Sequence, residues 1–395
     1  MRLPFIIAVA ILILLTLAFL IPFTGKNGTL SVPGKVAPTS KSEPPPSIEK
    51  KTTNDAVLNV PEGFNIEIFA RNLSGPRVMA FDSENNLLVT EMGAGRVIAF
   101  EKITGGQLTG TPKTVISGLN TPHGLAFNNG QLYVAEPGSV RRYFWNPTSL
   151  NAQFHRKVLT LPEGGQHSTR SILFDDSGNL FVSIGSTCNV CVEVSPFRAA
   201  IIKTNSDGER PEVYAKGLRN SVFMTLNPSD NNIWATDMGR DYLGDNLPPD
   251  EINIIEEGND YGWPYCYGNK LPDAEFSKNN SQNICRNTIA PVFQVCAHCA
   301  PLGILFIQSV QFPKDWQGDL FVAYHGSWNR STPSGYKIAH LKVSGHTVVS
   351  EEDFITGFLQ GDEVAGRPVG MAFDRDGILY ISDDKAGVIY RVNHL

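Results

Sequence analysis

The sequence predicts an all-β fold, a six-bladed β-propeller preceded by one N-terminal transmembrane or signal helix. Three features carry that prediction. An apolar run opens the 395-residue chain, a Pro/Ser/Lys-rich stretch follows it, and a β-type unit then recurs six times down to the C-terminus. Hydrophobic residues make up 42% of the chain and charged residues 18%, the composition of a globular protein with a sizeable core. The 36 glycines and 26 prolines supply the many turns that an all-β chain needs.

The first element is the segment 1–25. Arg2 precedes a nearly unbroken apolar run from Phe5 to Phe23, interrupted only by Thr16 and Pro22. About 20 apolar residues are what a helix needs to cross a bilayer. No A-x-A cleavage site follows, so the run predicts an uncleaved anchor; cleavage would leave a secreted protein instead. The second element, 26–57, is rich in Pro, Ser, Thr and Lys without aromatics or periodicity, and is expected to be a disordered tether. Both readings of the first segment place the remaining residues, 58–395, outside the cytoplasm, in the periplasm or at the cell surface. The net charge of -6 and the lack of a long basic run exclude nucleic acid as a partner.

Six copies of one unit set the third element. They begin at Met79, Gly124, Ser171, Phe223, Val310 and Gly370. Each copy has two β-prone runs about a turn of Asp, Asn, Gly or Pro. The anchor residues Phe81, Phe127, Phe174, Leu226, Phe312 and Phe373 are spaced from the mid-forties upward. Units of this length with alternating apolar residues are propeller blades rather than helical repeats. A larger gap before Phe312 reads as a long loop that carries four of the six cysteines. In an exported chain an even cysteine count favours disulfides. Proximity pairs Cys266 with Cys285 and closes each CxxC (Cys188/Cys191, Cys296/Cys299) on itself. A zinc site built from the two CxxC pairs is the alternative.

Nucleotide-binding glycine loops, Gly-x-Ser-x-Gly and His-Glu-x-x-His are all absent. Polar residues instead recur at matching places beside the strands: His123, His167 with Arg170, Arg219 with Asn220, Asp237 to Asp241, His325 to Arg330, and Arg367. Equivalent positions of a propeller repeat face the same mouth. Converging arginines and histidines would form one positive, concave pocket, suited to a ligand with several carboxylates.

These residues carry a resemblance. The stretch GLRNSVFMTLNPSDNNIWATDMGRD, followed by DEIN and YGWP, and the stretch GGQHSTRSILFDDSGNLF resemble the glucose/sorbosone dehydrogenase family, from about Val60 to the end. The resemblance implies a six-bladed quinoprotein that binds pyrroloquinoline quinone (PQQ) and Ca²⁺. It implies His167 as catalytic base, with Arg219 and Asn220 on the quinone and Arg219 also stabilising negative charge. Carbonyls of Gly239 and Arg240 would bind calcium, and Arg367 would contact the cofactor, with His123, His325 and Arg330 as further cofactor-binding residues. The implied reaction is oxidation of a sugar, aldose or related aldehyde, with electrons passed to an external acceptor. Where glucose dehydrogenases of this family carry a lysine after the fifth-blade strand, this chain has AYHGSWNRS, and Met238 precedes Gly239. Both departures point to the sorbosone-dehydrogenase-like branch. A calcium-dependent lactonase and a non-catalytic binding propeller are the alternatives on the same fold.

Overall fold

The computed structural model describes residues 57–102, 108–276 and 284–394. The predicted helix 1–25 and the tether, save its last residue, lie outside them. Among the described residues no helix is long and apolar enough to cross a membrane.

Six four-stranded antiparallel sheets form the propeller. Their innermost strands are Pro76–Phe81, Leu125–Asn128, Arg170–Phe174, Met224–Leu226, Pro301–Phe306 and Pro368–Phe373. The second strands are the most buried. Leu87–Glu91, Ile233–Asp237, Leu320–Tyr324 and Leu379–Asp383 are buried at every position, because each is covered by a neighbouring blade on both faces. That is why they read as near-continuous apolar runs.

The chain closes on itself. Phe64–Ala70 pairs antiparallel with Val388–His394, so the first strand of the domain is the outer strand of the last blade. The ring thereby ties its two ends together through backbone hydrogen bonds.

The repeated turn has one cause. Asp82 accepts the backbone N–H of Glu84 and Asn86, Asp175 those of Ser177 and Asn179, and Asn227 that of Ser229. A short side-chain acceptor two residues ahead of the donor is an Asx-turn, so these three blades carry Asp or Asn there. Gly178 and Gly377 follow in the left-handed region (φ 79° and 84°), where a side chain would be strained.

The fifth repeat needs a correction. Its inner strand is Pro301–Phe306, upstream of the copy beginning at Val310. Phe312 sits beyond that strand, in a long turn with the 3-10 segment Lys314–Trp316, and packs against Phe64, Phe321, Phe354 and Phe373 with centroids 5.2–6.1 Å apart. An apolar residue is buried whether a strand or a turn presents it, so hydrophobicity alone misplaced the register. The gap before it also holds more than a loop: a small hairpin, Cys266–Tyr267 with Leu271–Pro272, and the fourth blade's outer strand Phe293–Ala297.

All six cysteines are paired, as Cys188–Cys191, Cys266–Cys285 and Cys296–Cys299. This is the pairing expected from proximity, and it leaves no thiols for zinc.

Candidate active site

In antiparallel blades the start of the first strand and the end of the second lie at the same end. His123, His167, Arg219, Asn220 and Arg367 precede or open inner strands, while Met238–Asp241, His325 and Asp384 follow second strands. All therefore reach one mouth.

An acidic residue at or near the end of the second strand shapes several of these entries. Glu91 accepts the N–H of Ser74, Glu136 that of Asn120, Asp237 those of Arg219 and Asn220, and Asp383 that of Arg367, at 2.6–3.1 Å. The backbone is pinned by a buried carboxylate, and the loop side chain is left to turn toward the mouth. Burial pushes Asp237 well above the usual carboxylate range, with Glu251 adding to the shift, and pushes Asp383 up to about 6.

A cavity of about 330 Å³ opens between the third, fourth and fifth blades. His167, Arg219, Asn220 and Gly239 line it, together with Asn189, Asp241, Asp250 and His298. Exposed Tyr242 and Trp328 form its aromatic lip, edge to face with centroids 5.9 Å apart.

The His167 imidazole has a defined proton. Ser186 Oγ donates its single hydrogen to the Cys188 carbonyl at 2.7 Å and lies 2.8 Å from His167 Nδ1. Ser186 can then only accept from the ring, so Nδ1 carries the hydrogen and Nε2 holds a lone pair. No residue in the described structure hydrogen-bonds Nε2. Burial, with the nearby Arg219 charge adding to it, pushes the His167 pKa down to about 3, so the ring is neutral at neutral pH.

Arg219 is 4% exposed and extensively held. Nε donates to the Asn189 carbonyl, Nη1 to the Met238 carbonyl, and Nη2 to Asn189 Oδ1 and Asp241 Oδ2. These four bonds leave one of the five guanidinium hydrogens for a ligand. Asn220 Nδ2 meets only the weak acceptor Met238 Sδ, at 3.6 Å, so its amide is also available.

The other sequence-predicted residues lie elsewhere on the mouth. His325 Nε2 donates to Asp384, 3.0 Å away, and Nδ1 accepts from Arg367. Arg367 also donates to the Gly326 carbonyl and the Tyr336 hydroxyl. His123 is fully buried, with Nε2 accepting from Arg77 and Nδ1 beside Ser171 Oγ. Arg330 donates to the carbonyls of Asp245, Ala297 and Thr332, so it braces loops of the fourth and fifth blades rather than lining the cavity. Arg170 holds the His167 loop through the carbonyls of Pro162, His167 and Thr169. The Arg240 side chain turns away to Asp273 and Glu275.

The expected positive pocket is therefore largely neutralised, by Asp241 against Arg219 and by Asp384 against Arg77. A buried guanidinium without a partner is costly, and the fold supplies the partners itself. Sequence reasoning missed Ser186, Asn189, Asp384 and Arg77. A weaker signal existed for Arg77, an arginine one residue inside the inner strand that opens at Pro76, as Arg367 lies one residue before the strand that opens at Pro368.

Comparison with known proteins places these residues in a wider group. The family model described as TrAA12-like matches residues 58–395. The chain is 33% identical to an uncharacterized protein of Borreliella burgdorferi, over 85% of this chain and 91% of that one. It is 27% identical to a pyrroloquinoline quinone-dependent sugar dehydrogenase of Hypocrea jecorina, over 86% and 91%. Among solved structures, a Trichoderma reesei family AA12 enzyme superposes with a TM-score of 0.77 at 23% identity, covering 87% of this chain and 99% of that one, which supports the fold.

Proposed function

The chain belongs to the TrAA12-like family, and from that premise we propose that it is a quinoprotein sugar dehydrogenase. It would oxidise a sugar, aldose or related aldehyde with PQQ and Ca²⁺ and pass electrons to an external acceptor. The observation that carries the reading is a neutral imidazole with an unshared Nε2 lone pair, set beside a buried arginine in a cavity of about 330 Å³. Cavities of roughly this size and upward hold small molecules and cofactors.

The donor set fits a planar, carboxylate-bearing quinone. The remaining Nη1 hydrogen of Arg219 and the Asn220 amide would hold its oxygens. Arg367 and His325 on the far side of the mouth, bonded to each other and to Asp384, Gly326 and Tyr336, set the shape and charge of that side, and Arg330 and His123 support other loops of the mouth. Calcium prefers oxygen donors, and the carbonyls of Gly239 and Arg240 beside the Asp241 and Asp250 carboxylates supply that chemistry. Bound there, the quinone supplies a two-electron hydride acceptor and the cation a Lewis acid.

The residues of this chain do the rest. His167 Nε2 takes the proton of the substrate hydroxyl, and Nδ1–H stays on Ser186, so the ring gains its charge only during the reaction. The Arg219 guanidinium stabilises negative charge developing across the cavity. Tyr242 and Trp328 offer aromatic faces against which the apolar side of a sugar ring would pack.

Three disulfides suit an oxidising compartment. With the apolar segment 1–25 as anchor and 26–57 as tether, the domain 58–395 would stand outside the cytoplasm at a membrane.

Titration of PQQ into the calcium-loaded full chain, followed by an aldose panel with an artificial acceptor, tests the reading. Binding at micromolar concentration and acceptor reduction with at least one sugar are expected. Absence of quinone binding would overturn it.

A further inference from the structure

The residues that orient His167 and Arg219 come from one short loop. Ser186 leads into it, Cys188 and Cys191 close it as a disulfide with sulfurs bonded, and Asn189 sits at its tip. Its contacts go to both partners. The Cys188 carbonyl takes the Ser186 hydrogen and so leaves Ser186 to accept from His167. Asn189 takes Arg219 Nε on its carbonyl at 2.9 Å and Nη2 on its side-chain oxygen at 2.8 Å.

Asn189 also aligns the counter-ion. Its side-chain oxygen accepts the Asp241 N–H at 2.8 Å, and its Nδ2 donates to the Asp241 carbonyl at 3.2 Å. The loop is pinned from outside as well. Trp263 Nε1 reaches the Asn189 carbonyl at 3.3 Å, and Glu193 accepts the Thr187 N–H at 2.6 Å and its hydroxyl. Gly185 permits the approach. A Cβ there would come within 2.5 Å of His167 Cβ and 2.8 Å of Asn220 Oδ1.

We propose that the Cys188–Cys191 loop is a brace that positions both halves of the reaction machinery at once, Ser186 acting on the His167 tautomer and Asn189 on the Arg219 guanidinium. The assignment rests on His167 and Arg219 having the roles given above. Ser186 and Asn189 are positioning residues, since each acts through another side chain. A loop with two residues between its cysteines has few conformations once the disulfide is formed, so the Cys188 carbonyl and the Asn189 amide are set together.

The proposal makes a separable pattern of effects. The full chain, free of cofactor and labelled with ¹⁵N at histidine and arginine, reports the His167 tautomer and the exchange protection of Arg219 Nη2–H, which the Asn189 side-chain oxygen accepts. The wild-type protein is expected in the Nδ1–H form with a protected Nη2–H. Ser186→Ala should mix the tautomers and leave Arg219 protected, and Ser186→Thr, which keeps a hydroxyl, should restore a single tautomer. Asn189→Ala should do the reverse: about tenfold lower Nη2–H protection, with the tautomer unchanged.

The variant Cys188→Ala/Cys191→Ala keeps every side chain that bonds His167 or Arg219 and should show both defects together. In the loaded enzyme, Ser186→Ala should lower kcat, while Asn189→Ala should weaken quinone binding about tenfold. A wild-type spectrum in the Nε2–H form overturns the proposal. So does a folded cysteine double variant with both signals as in wild type. Should that variant fail to fold, the two single variants still decide, because equal effects of both on both signals also overturn it. If wild-type protein binds no PQQ, the dehydrogenase reading falls while the tautomer and exchange signals still test the brace.

Discussion

On the side of the mouth formed by the third and fourth blades, His167 spends one ring nitrogen on Ser186 and keeps the other for the cavity. On the side formed by the fifth, sixth and first blades, His325 spends both, between Arg367 and Asp384, and His123 spends both, between Arg77 and Ser171. The residue types are the same and the capacities differ. A histidine whose two nitrogens are committed cannot take a proton from a ligand without breaking a bond, so the first side can do proton chemistry and the second can hold shape and charge. The supports differ too. Disulfides back the first side, through the Cys188–Cys191 loop and through Cys266–Cys285 next to the Asp273 that pairs with Arg240. Ion pairs run through the second, as Arg77–Asp384 and His325–Asp384.

The largest effect expected separates the two histidines. His167→Gln should lose about 10²- to 10⁴-fold in turnover while retaining quinone binding, the usual contribution of a general base. His325→Gln should cost less than about tenfold in kcat, because no proton passes through it. Steady-state kinetics of the two variants side by side check this, and equal losses would erase the distinction between the sides.

Next come the supports. Removing Cys266–Cys285, whose cysteines are 19 residues apart, should cost about 3 kcal/mol in the chain-entropy account, measured by denaturant unfolding of the double alanine variant. Asp384→Asn should cost about 2 kcal/mol. The Arg77 side chain is 11% exposed and would keep its charge with no ionised partner, although partial exposure softens the penalty. Reduction should therefore loosen the His167 side first, while the Asp384 change acts on the other side and leaves the His167 tautomer as it was.

The smallest effect is in pH. His167 has a lower pKa folded, about 3, than unfolded, near 6.5. Between those values the unfolded chain binds the proton and the folded one does not, so this group's stability is full above about 6.5 and is lost as pH falls toward 3. Asp384 is held down to about 2, mainly by its bond to His325, against an opposing push from burial. Its contribution is present above the ordinary aspartate value and lost only as pH falls through about 2. Unfolding midpoints across pH should thus show His167→Gln diverging from wild type as pH falls from about 6.5 to 3, and the Asp384→Asn deficit shrinking as pH falls from about 4 toward 2.

The blades were legible because the determinants are local. Asx acceptors at the turns of the first, third and fourth blades, mostly apolar second strands, and an acidic residue at the end of four of those strands are short patterns, and they recur. His167, Arg219 and Asn220 were legible for the same reason, since their place in the repeat puts them at the mouth. The fifth blade was misplaced because Phe312 satisfies the pattern of burial from a turn instead of a strand.

What the sequence by itself determined is the number of blades and the end of the ring at which polar residues gather, both of which follow from spacing along one chain; for the cysteines, proximity offered the three pairs with zinc as the alternative, and the closed sulfur pairs decided between them. Only the tertiary structure decided which of the gathered residues are free to act. Ser186 lies 19 positions from His167, Asn189 lies 30 from Arg219, and Asp384 lies 307 from Arg77. A hydrogen bond falls away within a fraction of an ångström and a buried charge needs its partner in contact. Whether an imidazole nitrogen is spent or spare therefore depends on distances that appear only when the blades close around the mouth.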